Sequence, residues 1–299
     1  MRTVLYCSAF VPPELIRAHS FEPVFGIMGD TRPRGPVPEV AGACAFMRTF
    51  INEACEGEDV AAVIATSDCD QMRRGSEFAE RSGKPPMFLL NLPATWQTPG
   101  MREAYLTELQ LLDRFLSELA GAPLSGDELW RTMQECEAQR AATPSVQLSP
   151  DKIPLVVVGA HLTPHDETLR SEIEACGGQV VLDGMESGER GRPALFDSAR
   201  GEASPLEELA RAYFDVVPGI FQRPNDRFFD WLRAGVAESG ARGVIVLRQQ
   251  WCDLWHAEVS RMRDMLDVPL LDLDLAGKEA GARNHMRIQA LIETLRYGA

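Results

Sequence analysis

The chain has no CxxC pair. A zinc ribbon or a thioredoxin-type motif is therefore excluded, and any metal site must gather ligands that lie far apart in sequence. It also lacks GxGxxG and the GxxxxGK(S/T) loop, which argues against dinucleotide or P-loop nucleotide binding. Positive charge is in short supply: 30 Lys and Arg face 44 Asp and Glu, for a net charge of −14. Such a chain offers little counter-charge to nucleic acid or to an anionic membrane. No apolar run reaches transmembrane length. The opening "MRTVLYCSAF" lacks the longer apolar region and small-residue cleavage site of a secretion signal. The expected location is cytoplasmic. Cysteine is present seven times, an odd number, and in a chain of this kind that speaks against a disulfide framework.

What is present is the composition of an ordinary globular protein, with 45% hydrophobic and 25% charged residues over 299 positions. That length suits one large or two medium domains. Short apolar runs bounded by turn residues mark eight strands: "TVLYCS", "EPVFGIM", "VAAVIA", "PMFLLNL", "IPLVVVG", "GQVVLD", "GVIVL" and "VPLLDLD". Helical periodicity lies between them, most clearly in 101–120, where Met101, Tyr105, Leu109, Leu112, Phe115, Leu116 and Leu119 recur at helical spacing. Further helices are expected at 38–57, 69–83, 126–140, 164–176, 204–216, 225–238, 251–266 and 280–297. Strands alternating with helices imply an α/β fold with parallel sheets. The proline-bearing stretch "AATPSVQLSPDKIP" (141–154) interrupts the pattern. The expected division is an N-terminal α/β domain over 1–124 (with Cys44 and Cys69), a helical linker over 125–150, and a C-terminal α/β domain over 151–299 (with Cys252). Residues 183–205 read as a long polar loop of the functional or mobile kind.

An internal repeat singles out two thiols. "VAAVIATSDCDQMRR" and "GVIVLRQQWCDLWHA" each run from an apolar strand to Cys-Asp and then into a helical pattern. A proline-led strand follows each, 17 residues after Cys69 and 17 after Cys252. Both cysteines then sit beyond the carboxyl end of a parallel strand, where open α/β sheets place ligands. They also sit at a helix N-terminus, which favours a thiolate. Small residues commonly fill such turns, so a packing role stays open for each. Cys44, in "EVAGACAFMRTF", has small neighbours that admit a bulky group. His161 and His165 follow the strand "IPLVVVG", with roles in acid–base chemistry or phosphate contact set against plain loop positions. Thr163 or Asp166 is placed to cap the helix that follows. His256 lies four residues after Cys252, on the same helix face. Arg48, Arg73 and Arg74 offer local positive charge for an anionic ligand in this acidic chain. Trp251 and Trp255 flank Cys252 and would shield a metal group from water. Cys55, Cys136 and Cys176 read as structural, as does Cys7 at the end of the first strand.

Four stretches together resemble the iron–sulfur subunits of the 2-hydroxyacyl-CoA dehydratase family, which includes the ATP-dependent benzoyl-CoA reductases. They are "VPPELIRAHSFEPVFGIMG", "CAFMR", "SDCDQMRR" and the run from "QQWCDLWHA" to the closing helix with Arg287 and Glu293. The resemblance implies two Rossmann-like domains with one 4Fe–4S cluster at their interface, held by Cys44, Cys69 and Cys252. Three thiolates leave one iron open, as a metal that meets substrate requires. It implies a homologous cluster-bearing partner subunit, in a heterodimer or homodimer. An ATP-dependent iron–sulfur activator would deliver single low-potential electrons, and the substrate would be an acyl-CoA. The chain is shorter than typical family subunits, whose extra N-terminal helices and insertions help shape the acyl-CoA pocket and the partner interface. Two other readings follow from that: a non-catalytic electron-relay or structural cluster subunit of a larger complex, or a reductase of another small molecule. A clusterless α/β binding protein is the third. Co-purification with a larger homologue, without acyl-CoA binding by this chain alone, distinguishes the relay.

Overall fold

The computed structural model describes residues 2–27, 37, 42–57, 59–83, 85–143, 147–163, 168–275 and 280–298, with backbone alone for 280–282. Its strands are β1 (Thr3–Tyr6), β2 (Glu22–Phe25), β3 (Val60–Thr66), β4 (Met87–Leu90), β5 (Ile153–Gly159), β6 (Gly178–Gly184), β7 (Gly243–Gln249) and β8 (Leu270–Leu275). Its helices are α1 (Pro13–Ala18), α2 (Ala45–Glu56), α3 (Asp70–Ser82), α4 (Met101–Ala120), α5 (Gly126–Ala141), α6 (Leu169–Ala175), α7 (Ser198–Ala203), α8 (Pro205–Phe214), α9 (Asp226–Ser239), α10 (Asp253–Met265) and α11 (Ala280–Tyr297). All eight expected strands form, in two four-stranded sheets of order β2-β1-β3-β4 and β6-β5-β7-β8. Every pairing is parallel. The α/β class read from the sequence holds, as two Rossmann-like sheets.

The two sheets share one topology. In each, the second strand lies outside the first, and the third crosses to the other side. The switch point therefore falls between β1 and β3 in one sheet and between β5 and β7 in the other. Central strands covered on both faces must be apolar throughout, and β5 is buried at all seven positions. Gly159 ends that strand under a tight constraint. A Cβ placed there would stand 2.0 Å from the Leu247 carbonyl oxygen, so only glycine lets β5 and β7 pair this closely at their ends.

Contacts divide the chain into two compact units that are not continuous in sequence. The first comprises Met1–Pro38, Met47–Pro144 and Arg192–Pro224, the second Glu39–Phe46, Ser145–Gly191 and Asn225–Ala299. This differs from the sequence division in three places. The stretch 125–143 is part of the first unit, because α5 packs on α1 and α8. Residues 192–224 return to the first unit and give it α7 and α8. Cys44 falls in the second unit and not in the first.

The first unit's core joins Val4, Tyr6, Phe10, Leu15, Ile64 and Leu90 to one face of α4 and to Leu209, Tyr213 and Phe214 of α8. On α4, Tyr105, Leu109, Leu112 and Leu116 are buried, an apolar stripe of helical period. A charged group sits inside this core. Glu14 of α1 is fully buried. It accepts the Tyr213 hydroxyl at 2.7 Å and a guanidinium N–H of Arg140. The second unit's core gathers Ile153, Leu155, Val157, Ile173, Leu247 and Leu273 with Ile288, Ile292 and Leu295 of α11.

The stretch 183–205 is more ordered than a polar loop. It holds a 3-10 turn at Glu189–Gly191 and the helix α7. Asp197 caps α7 by accepting the N–H of Arg200 (3.0 Å). Gly201 gives way to Trp130, whose ring would lie 2.1 Å from an added Cβ. Among the described residues, no helix is long and apolar enough to cross a membrane.

Candidate functional site

The three thiols of interest all open a helix. Cys44 directly precedes α2, Cys69 is the N-cap of α3, and Cys252 is the N-cap of α10. The carbonyls of Cys69 and Cys252 accept the first helical N–H groups, from Arg73 (2.9 Å) and His256 (3.0 Å). A helix N-terminus presents unpaired N–H groups and a partial positive charge to an anionic sulfur. None of the three is in a disulfide, and each is neither fully buried nor fully exposed.

Cys252 stands at the end of β7 after a tight turn. Its N–H donates to the Gln249 carbonyl at 3.0 Å, and Trp251 between them has φ of 71°. A bulky residue in the left-handed region is uncommon and marks a backbone held by its surroundings. Burial pushes the Cys252 thiol up to about 11; the charges of Cys44 and Asp253 add to this, while the N–H groups of Trp255 and Leu254 oppose it. Cys44 is thus an electrostatic neighbour of Cys252, although the two lie at opposite ends of the sequence. Both belong to the second unit and Cys69 to the first. Among the described residues, no three His, Cys, Asp or Glu side chains gather at metal-ion spacing.

The surroundings of Cys252 explain the "LDLD" run on β8. Arg248 pairs with Asp274 across β7 and β8. Its guanidinium donates to both oxygens of Asp272 (3.1 and 3.2 Å) and lies 2.6 Å from Asp274. Burial works against its charge, but Asp272 first, and then Asp274 and Cys252, raise its pKa. A fixed cation therefore sits within electrostatic range of the thiol. The sequence pattern assigns that role to other arginines. Arg73 and Arg74 are exposed on α3 and face Asp70 (4.0 Å) and Glu77. Arg48 is half-buried in the first turn of α2. The signal for Arg248 is the strand pairing itself, an arginine directly opposite an aspartate in neighbouring strands.

His161 lies at the switch point of the second sheet. Its ring stacks on Phe46 with centroids 4.4 Å apart at 27°. Its Nε2 is 3.9 Å from Glu186, which also pairs with the buried Arg190 at 3.3 Å. Arg190 lies over the Trp255 ring and donates to the Gly184 carbonyl. Burial lowers the pKa of His161, with Arg190 acting in the same direction and Glu186 opposing. His256 is exposed on α10. His165 and Asp166 fall outside the described residues, and Thr163 is buried ahead of α6. Cys7 is buried, with its sulfur 3.8 Å from the Ile64 carbonyl and 3.9 Å from Thr66. Beside it, Asp68 accepts from Ser8 (3.0 Å) and Thr66 (2.7 Å) and so ties the ends of β1 and β3 together next to Cys69.

Thiolate sulfur is the donor that soft metal groups prefer. The three candidate ligands are thiols that open helices, and Cys252 has both Cys44 and Arg248 within electrostatic range. No curated protein matches the chain. Solved structures similar to it include the AdcAII protein of Streptococcus pneumoniae (10% identity, 98% of each chain, TM-score 0.28). Another is the periplasmic zinc-binding protein TroA of Treponema pallidum (13%, 97% of this chain and 99% of that one, TM-score 0.30). A third is the FpvC binding protein of Pseudomonas aeruginosa in complex with manganese (13%, 98% and 99%, TM-score 0.26). At TM-scores this low the likeness carries no argument. The family model described as 2-hydroxyglutaryl-CoA dehydratase, D-component, matches residues 8–148 and 142–295. The chain belongs to the 2-hydroxyglutaryl-CoA dehydratase D-component family.

Proposed function

We propose that the chain is the cluster-bearing component of a radical enzyme of the 2-hydroxyacyl-CoA dehydratase or benzoyl-CoA reductase type. Cys44, Cys69 and Cys252 are the three thiolate ligands of one 4Fe–4S cluster. What supports this reading is the electrostatic coupling of Cys44 to Cys252 in a member of this family. When bound, such a cluster supplies single electrons at low potential. An ATP-dependent iron–sulfur activator delivers them, and a homologous cluster-bearing subunit completes the enzyme around an acyl-CoA.

The chain's own residues have defined roles in this reading. The N-termini of α2, α3 and α10 favour the anionic sulfurs. Arg248, braced by Asp272 and Asp274, offsets part of the cluster's negative charge from one side. Trp255, buried under Arg190, keeps water from that side of the site. The raised pKa of Cys252 means that its proton leaves when metal arrives, so assembly releases protons.

The test is iron and acid-labile sulfide in protein purified without oxygen. The expected content is about four irons per chain, with strong loss in Cys44→Ser, Cys69→Ser and Cys252→Ser. A full-strength cluster in Cys69→Ser removes that residue from the ligand set. Absence of iron in the anaerobic wild type overturns the reading and favours an α/β binding protein with structural thiols.

A further inference from the structure

A continuous path of contacts links Cys252 to Cys44 within the second unit. Gln249, the last residue of β7, is 1% exposed. Its carbonyl accepts the N–H of Cys252 (3.0 Å), and its side-chain amide donates to the carbonyl of His161 at 2.9 Å. The His161 ring then stacks on Phe46, two residues on from Cys44. Residues 39–46 belong to the second unit, whereas the chain from Met47 onward belongs to the first. Helix α2 thus changes unit directly after Phe46, whose ring stacks within the second unit.

We propose that the Phe46–His161 stack seats Cys44 beside Cys252, which makes His161 a positioning residue of the thiol site and not its acid or base. The aromatic residue of "CAFMR" thereby docks the first thiol. His161 is well built for holding. Gln249 fixes its backbone, Phe46 covers one face of its ring, and Glu186, already engaged by Arg190, stands at its Nε2. For the thiol pair, the proposal stands without any metal. Its consequence for a cluster rests on the reading given above.

The experiment uses the full-length, iron-free, reduced chain and dibromobimane, which crosslinks two thiols only when they lie a few ångströms apart. Peptide mapping identifies the Cys44–Cys252 product. Wild type crosslinks this pair. His161→Ala removes the stack, and an aromatic pair of this kind corresponds to about a 2- to 10-fold drop in crosslinking. His161→Phe keeps a ring against Phe46 but loses the imidazole nitrogens, and it retains the wild-type yield. Three results each overturn the proposal: no Cys44–Cys252 product in wild type, a wild-type yield in His161→Ala, or a yield in His161→Phe as low as in His161→Ala. Iron uptake by the same proteins separates the two readings. A wild type that crosslinks the pair but takes up no iron sinks the cluster assignment and leaves the stack standing. A His161→Ala chain with wild-type crosslinking and wild-type iron sinks the stack and leaves the cluster.

Discussion

The sharpest stability prediction concerns the carboxylate inside the first unit. Glu14 is fully buried and serves two donors, the Tyr213 hydroxyl and the Arg140 guanidinium. Burial, and next the Glu14 charge, hold the Tyr213 hydroxyl well above its usual pKa range, so it remains a donor. In Glu14→Ala that buried hydroxyl loses its acceptor, at a cost of about 1–3 kcal/mol. Arg140 loses its counter-charge, but its side chain is 26% exposed. It can turn toward water while staying near Phe196, whose ring centre is 5.4 Å away, so this part is held to about 1 kcal/mol. The expected destabilisation is about 3 kcal/mol, at the lower edge of the range for breaking a buried ion pair. Glu14→Gln keeps an acceptor and most of the volume, and should cost about 1 kcal/mol. Urea unfolding followed by far-UV circular dichroism measures both variants, and Arg140→Met alone and with Glu14→Ala completes a double-mutant cycle. A loss below about 1 kcal/mol for Glu14→Ala would refute the reasoning, as would a Gln variant as damaged as the Ala variant.

Two further outcomes follow from the second unit. The pKa of His161 lies below its ordinary 6.5 in the folded chain, so as pH falls the unfolded chain takes up the proton first. Its share of stability is complete above about pH 6.5 and is lost below it; urea midpoints at about pH 7.5 and about pH 5.5 should diverge more in wild type than in His161→Phe. Gly159→Ala forces a methyl group against the Leu247 carbonyl and should destabilise by about 3 kcal/mol; an unchanged thermal midpoint would mean that the ends of β5 and β7 are not as close as described.

Much of this architecture was legible in the residues. Parallel strands buried on both faces must be apolar runs, so "VAAVIA", "IPLVVVG" and "GVIVL" announced themselves, and the matched spacing after Cys69 and Cys252 foretold the same strand–helix–strand unit in each half. Helix α7 escaped notice because its periodicity is too short to register and depends on an Asp197 cap and on Trp130 from elsewhere in the chain. The site was legible in its residue types more than in its groupings. Cys44 reads locally as a neighbour of Cys69. Yet it falls in the second unit, where Phe46 stacks on His161, and no periodicity encodes that pairing. Arg248 looked like a strand residue with an unexplained charge until β7 and β8 were set in register.

The discontinuous make-up of the first unit bears on how the chain is built over time. Its hydrophobic core is closed by Leu209, Tyr213 and Phe214, and Glu14 near the N-terminus waits for the Tyr213 hydroxyl. During synthesis, α4 and α5 emerge early but lack their packing partner α8 until residue 224 has left the ribosome. By then β5 and β6 of the other sheet have already appeared. At about 5–20 residues per second, the first unit spends on the order of ten seconds with apolar surface uncovered. A nascent chain paused near residue 180 should therefore draw chaperones more strongly than one paused past residue 224.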